Sequence, residues 1–256
     1  MTTSSPIGTF RERLRRGDRL LGTFVKTPHP VVVEVLSFAP LDCLCIDAEH
    51  APFDRGDLDL AVLAARGRQM PTLVRIPSAE PAAILNALDL GATGIILPHV
   101  TTREGAQAAA AACRYGHGGR GYAGSPRAAG YGTQAMADIL SRANTEVTVI
   151  AQIEDAEALD HLDEIAALDG IDALFVGRMD LTVSIGAASA TDTVVIDAVK
   201  SICAAARRHG RAVGMFTPTI EEARQWFDAG ASLFLLSSDQ QWLIQGAKAM
   251  RQAFDA

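Results

Sequence analysis

Short apolar runs alternate with helical stretches from one end of this chain to the other, and that alternation restricts the fold more than any other feature. The candidate strands are Leu21–Val25, Asp42–Ile46, Thr72–Ile76, Gly94–Leu97, Val147–Gln152, Asp172–Val176, Ala212–Phe216 and Ser232–Leu236. Most are near-continuous hydrophobic runs, the pattern of parallel strands covered on both faces. Helical segments fall between them, among them Asp57–Arg66, Ala82–Leu88, Arg103–Cys113, Glu157–Leu168, Thr193–His209, Ile220–Ala229 and Gln240–Phe254. Glycine separates helix from following strand at Gly91, Gly170, Gly210 and Gly230, as expected at such junctions. The chain has 256 residues, and a closed (β/α)₈ barrel takes about 250. The reading is therefore a single (β/α)₈ TIM barrel over residues 1–256. An open doubly wound sheet would carry a glycine-rich loop after its first strand, whereas here that loop is Val25-Lys26-Thr27-Pro28-His29-Pro30.

Composition narrows the function classes. The formal net charge of -7 and the lack of a Lys/Arg block speak against nucleic acid or an anionic membrane as partner. The densest basic cluster, Arg11 to Arg19, reads as the exposed face of a short helix. The N-terminus has no apolar leader, and no apolar run reaches the roughly 18 residues that span a bilayer. The four cysteines show no zinc spacing and read as small buried hydrophobes. A soluble cytoplasmic protein is the expectation. One long connection, from about Arg114 to Thr145, is glycine-rich and then partly helical. It comes after the fourth strand and is expected to rise from the active-site face.

In a barrel the carboxyl ends of the strands form the active site. Reading only those positions yields Asp47-Ala48-Glu49-His50, Arg75, His99, Gln152, Glu154 and Asp180. Glu154 and Asp180 end adjacent strands, about 4.8 Å apart in a sheet. Two carboxylates so close call for a cation between them or a proton on one; an oxygen-ligated divalent metal (Mg²⁺, Mn²⁺ or Co²⁺) is the economical solution, and two solvated loop carboxylates are the plainer alternative. A 2-oxo acid chelates such an ion through its carboxylate and keto oxygens. His50 and Asp47, three residues apart on one loop, can form a general base with an oriented imidazole. Arg75 is open to two roles, a structural ion pair with Glu49 or stabilisation of an enolate oxygen. Of the lysines only Lys26 lies near a strand end, so a Schiff-base mechanism has one weak candidate.

Several stretches, in order and spacing, resemble the HpcH/HpaI family of class II pyruvate aldolases over nearly the whole chain. They are Asp47-Ala48-Glu49-His50-Ala51-Pro52, Leu73-Val74-Arg75-Ile76-Pro77, Leu88-Asp89-Leu90-Gly91-Ala92 and Ile96-Leu97-Pro98-His99-Val100. Gly118-Gly119-Arg120-Gly121, Ala151-Gln152-Ile153-Glu154 and Gly177-Arg178-Met179-Asp180-Leu181-Thr182 complete the set. The resemblance implies a metal-dependent lyase that cleaves a 4-hydroxy-2-oxo acid reversibly to pyruvate and an aldehyde. It implies Glu154 and Asp180 as metal ligands, Arg75 at the keto oxygen, and His50 with Asp47 as the acid–base pair. Gln152 would lie near the oxo acid, and the loop at Gly177, Arg178 and Met179 would offer backbone N–H groups to its carboxylate. Asp89 matches a position that reaches toward a neighbouring subunit's site. The last helix would pack on a neighbour in a homo-oligomer, a trimer or hexamer. The family often has Pro and Ser where this chain has Arg178 and Thr182, which bears on substrate identity. The same superfamily holds citrate-forming and CoA-ester lyases, the alternative from the same fold. A barrel that only senses a small acid is the alternative from another class.

Overall fold

In the computed structural model, which describes residues 8–256, eight parallel strands close into one barrel in sequence order. The elements up to the middle of the chain are α1 (Phe10–Arg15), β1 (Leu20–Val25), α2 (Pro30–Leu36), β2 (Cys43–Asp47), α3 (Arg55–Arg66), β3 (Thr72–Arg75), α4 (Pro81–Leu90), β4 (Gly94–Leu97), α5 (Arg103–Ala112) and α6 (Met136–Glu146). Then follow β5 (Thr148–Ile153), α7 (Leu162–Ala166), β6 (Ala173–Val176), α8 (Arg178–Ile185), α9 (Thr193–Arg208), β7 (Ala212–Thr217), α10 (Ile220–Asp228), β8 (Leu233–Ser238) and α11 (Asp239–Asp255). All eight expected strands are present, with ends displaced by a residue or two. Among the described residues no helix is long and apolar enough to cross a membrane.

Strand alternation splits the core in two. Leu20, Phe24, Cys43, Cys45, Leu73, Ile96, Ile150, Phe175, Leu233 and Leu235 fill the barrel interior. The intervening residues, such as Val25, Leu44, Ile46, Val74 and Ile95, meet the helices outside. Helix α1 plugs the lower end of the barrel. Its capping box of Thr9 and Glu12 starts the helix, and Phe10 and Leu14 join the interior cluster. The basic run there is more than a solvated face. Arg11 bonds the buried Asp172 at 2.9 Å and Arg13 bonds Asp42 at 2.7 Å, because the plug carries its charges against carboxylates at the foot of the sheet. All four cysteines are free and buried. Burial pushes the Cys113 thiol up to about 12 and Cys203 up to about 11, so neither is a thiolate nucleophile.

Three features depart from the sequence reading. The expected helix Glu157–Leu168 is broken into a 3-10 turn at Ala156–His161 followed by α7. Helix α8 was expected as a loop; its eight residues are a short run of mixed polarity with no clear apolar stripe. The long connection after α5 lies at the opposite end of the barrel from where it was expected. It leaves the C-terminal end of a helix that runs antiparallel to the strands, and so it starts at their amino ends. Its contacts agree: Tyr115 N–H donates to Asn144, and Arg120 bonds Asp89 in the last turn of α4.

Helix α11 stays apart from the packed layer. Only Asp239 in it is buried, while Leu243, Ile244, Met250 and Phe254 are exposed.

Inside the barrel there is no spare volume beside Gly22. A Cβ there would fall 2.6 Å from Cys43 Sγ and 2.9 Å from Leu235 Cδ2. Gly22→Ala is therefore expected to destabilise the fold by ~1–3 kcal/mol. Urea unfolding checks this, as a lower midpoint with an unchanged slope; an unaltered midpoint means the interior can yield.

Candidate active site

The parallel register sets Asp47 at the end of β2 directly beside Arg75 at the end of β3. Their side chains meet in a two-pronged pair, Arg75 Nε to Asp47 Oδ1 at 3.0 Å and Nη2 to Oδ2 at 2.8 Å. Phe24 from β1 lies under the guanidinium, 4.7 Å from ring centre to Cζ. Lys26 Nζ approaches Asp47 Oδ2 at 3.1 Å, and the His50 backbone N–H donates to Oδ1 at 3.1 Å. Burial alone would raise the Asp47 carboxyl. The bonds and charge of Arg75, helped by the His50 N–H and Lys26, hold it below its ordinary value. Burial would likewise lower Arg75, and the same pair keeps it above. Both groups are thus charged and fixed in orientation near neutral pH.

Across the rim sits a cluster of carboxylates. Glu49, His99 and Glu154 each present a ligand atom, all within 4.8 Å of one another. Glu154 accepts the His99 backbone N–H at 2.9 Å through Oε1 and the Gln152 amide through Oε2. Glu49 Oε2 stands 3.2 Å from Arg75 Nε. Burial and the neighbouring Glu154 charge push Glu49 up against the pull of Arg75. His99 holds a left-handed backbone, φ 51°, which costs a β-carbon residue strain and turns its N–H onto Glu154. Its Nδ1 bonds Asp155 at 3.0 Å; that bond, with the charges of Glu154 and Glu49, raises the imidazole above its ordinary value. Two buried acceptors, Glu49 Oε2 and Gln152 Oε1, have no hydrogen-bond donor. Orphaned acceptors beside repelling carboxylates fit a hard divalent cation. Gly177 makes the cluster possible, since a Cβ there would fall 2.6 Å from Glu154 Oε2.

Above these groups opens a cavity of about 510 Å³ whose lining includes Lys26, His50, Arg75, Gln152, Arg178 and Asp180. Six of the expected site residues, His50, Arg75, Gln152, Gly177, Arg178 and Met179, thus share one cavity with Asp180, and Asp47 and Glu154 lie just beneath. The expected bond between Asp47 and the His50 ring is replaced. The carboxylate faces across the sheet to Arg75 and meets His50 through its main chain. The ring is half exposed, with Nε2 3.8 Å from Glu49. Glu154, an expected ligand, lies in a cluster able to hold a cation, and the other members of that cluster are Glu49 and His99, with Asp180 outside it. Asp180, exposed, sits in the first turn of α8. The Gly177 N–H is already bonded to Ile153 O at 3.0 Å, so the expected donor at Gly177 is taken up within the fold. Arg178 is tied to Glu222 of α10, and Thr182 Oγ1 closes back on the Arg178 carbonyl at 2.7 Å. Asp89 lies at the other end of the barrel, bonded to Arg120. Glu49 and His99 carried a signal in the sequence, since both follow strand ends, but nothing in the spacing links residues fifty positions apart.

The chain has counterparts among known proteins. Residues 20–246 match the family described as HpcH/HpaI aldolase/citrate lyase. A hydroxypyruvate/pyruvate aldolase of Paraburkholderia phytofirmans is 34% identical over 252 residues, 95% of either chain. The crystal structure of an HpcH/HpaI aldolase/citrate lyase family protein from Burkholderia cenocepacia superposes with TM-score 0.91 at 35% identity, covering 96% of this chain and 98% of that one. The citrate synthase SbnG superposes with TM-score 0.85 at 28% identity, covering 97% and 99%.

Glu154→Gln is expected to leave the circular dichroism unchanged and to weaken Mn²⁺ binding by about 100-fold or more, beyond the loss typical of an outer-shell change. Titrating Asp180→Asn and His99→Ala alongside tells which flank completes the ligand set. Undiminished Mn²⁺ affinity in Glu154→Gln would rule out this cluster as the metal site.

Proposed function

Because the chain belongs to the HpcH/HpaI aldolase/citrate lyase family, we propose that it catalyses the reversible aldol cleavage of a 4-hydroxy-2-oxo acid to pyruvate and an aldehyde. At the coarser level it is a divalent-metal-dependent lyase acting on a 2-oxo-acid-like substrate. The observation that carries the finer reading is Arg75. It is a buried guanidinium locked by Asp47 beside a cation-binding carboxylate cluster, aimed into a cavity of small-metabolite size. That is a preorganised positive group for an oxygen that gains charge. The likeness to the hydroxypyruvate/pyruvate aldolase of Paraburkholderia phytofirmans supports pyruvate as the product.

Glu154 and Asp180 are the proposed metal ligands, with Glu49 and His99 on the flank of Glu154. A divalent ion held there supplies Lewis-acid polarisation of the 2-oxo acid. The chain's own groups do the rest. Arg75 stabilises the enolate oxygen as the C3–C4 bond breaks. His50, half exposed at the cavity wall, accepts the proton of the C4 hydroxyl. The first-turn N–H groups of α8, at Arg178 and Met179, face the substrate carboxylate at a helix N-terminus. Gln152 fixes Glu154 and borders the oxo acid. Asp47 serves by orienting Arg75 and, through the His50 N–H, the loop that carries the base.

The likeness to SbnG favours a second reading, a citrate-synthase-like condensation. Turnover with pyruvate and simple aldehydes, set against oxaloacetate plus acetyl-CoA, decides between the two. The exposed apolar residues of α11 suit the homo-oligomer expected from the resemblance, with that helix turned toward a neighbouring copy; Asp89, held by Arg120, would meet a neighbour only at the opposite end of the barrel.

Two variants separate the halves of the reaction. Arg75→Lys keeps the charge and loses the planar fork. It is expected to slow proton exchange in pyruvate by about 10²-fold, or ~3 kcal/mol. Exchange at the wild-type rate with a lower melting temperature would make Arg75 a purely structural ion pair. His50→Ala is expected to slow aldol cleavage by roughly 10²–10⁴-fold while metal content and oxalate affinity hold. Loss of oxalate binding together with cleavage would make His50 a structural or ligating residue and pass the base to His99.

A further inference from the structure

At the end of the barrel away from the active-site rim lies a second cavity, of about 340 Å³, and arginine dominates its wall. Arg66 ends α3, Arg120 and Arg127 come from the long connection after α5, and Arg142 stands on α6. Glu146 is the one acidic residue in the lining. Arg120 bonds Asp89, and Arg127 pairs with Asp59 at 2.7 Å. Arg142 donates to the Ala128 carbonyl at 2.9 Å. Among the described residues Arg66 and Arg142 have no ion-pair partner, and set against Glu146 they leave the cavity a small surplus of positive charge in a chain whose net charge is -7. Gly91 keeps room for it: a Cβ there would stand 3.1 Å from Arg66 Nη1.

A second observation points to a ligand. The Arg120 side chain is 2% exposed and that of Arg127 9%, yet the Nε–H of each is buried with no acceptor. A buried donor left unpaired is costly, and a charged one more so. Arg120 and Arg127 are thus each one acceptor short beneath the cavity, while Arg66 and Arg142 bring planar, permanently charged donors to its wall from two further segments. Guanidinium forks suit oxyanions with several acceptor oxygens.

We propose that this cavity binds the phosphate group, as free phosphate or as the phosphoryl end of a small ester. It shares no lining residue with the active-site cavity. The donors sit at the end of α3, on α6 and on the connection between α5 and α6, so an occupant would fasten that connection to the foot of the barrel.

The test is calorimetric titration of inorganic phosphate into the chelator-treated full-length protein, with glycerol phosphate in a parallel arm. One site per chain is expected. Arg66→Met and Arg142→Met should each weaken it by at least about 10-fold, and Glu154→Gln should leave it unchanged. Tighter binding of the ester identifies a phosphorylated metabolite as occupant; equal or weaker binding identifies free phosphate. If Arg142→Met loosens the connection and lowers the melting temperature, Arg66→Met, an exposed residue resting against Gly91, carries the comparison. Affinity weaker than about 10 mM, or binding indifferent to both arginine variants, or binding abolished by Glu154→Gln, overturns the proposal.

Discussion

Closure of the parallel ladder, with β1 hydrogen-bonded to β2 on one side and β8 on the other, is the constraint from which the site follows. A closed cylinder of parallel strands has one rim where all eight carboxyl ends meet, and residues far apart in sequence become neighbours there. Asp47 reaches Arg75 because the β2–β3 register pairs them. Glu154 reaches Gly177 because Ile153 pairs with Val176 one position earlier. The chemistry of the rim is thus decided by register before it is decided by loops.

The rim also has to solve an electrostatic problem. Asp47, Glu49 and Glu154 are all buried or nearly so, and burying carboxylates is costly unless each finds a compensating charge. Arg75 and Lys26 answer Asp47, and Arg75 reaches on to Glu49. Glu154 has only dipoles, the His99 N–H and the Gln152 amide, with the His99 ring at 3.6 Å. The deficit of positive charge lies on the Glu154 side. One flank is thereby self-sufficient and rigid, and the other is completed by a cation. The division suits a lyase in which a fixed group and a recruited ion act on the same substrate.

Much of this was legible in the sequence, for a physical reason. Buried parallel strands leave apolar runs such as Leu44–Ile46 and Val149–Ala151 that survive any choice of loop, so strand number and order could be read directly. Strand-end filtering then collected His50, Arg75, Gln152, Glu154 and Asp180. What escaped depends on the third dimension. Asp47 was matched to His50 by closeness in sequence, whereas cross-strand register gave it Arg75. The ligating aspects of Glu49 and His99 needed two loops to be brought together. The connection after α5 lies at the far end of the barrel because that helix reverses the chain, a reversal that strand order by itself does not encode. Helix α8 was missed because eight residues with buried Leu181 and Thr182 leave no periodic stripe.

Gly177 has a wider consequence. With Glu154 packed against its Cα, this position admits no side chain at all, while Arg178 and Met179 immediately after it point to the cavity and to solvent. The backbone changes character within one step: Gly177 is fixed by steric contact with Glu154, and the two residues after it carry side chains that line the cavity. A change of side chain at Met179 can therefore reshape what the cavity accepts without disturbing Glu154 or Arg75, whereas Arg178 beside it is tethered to Glu222.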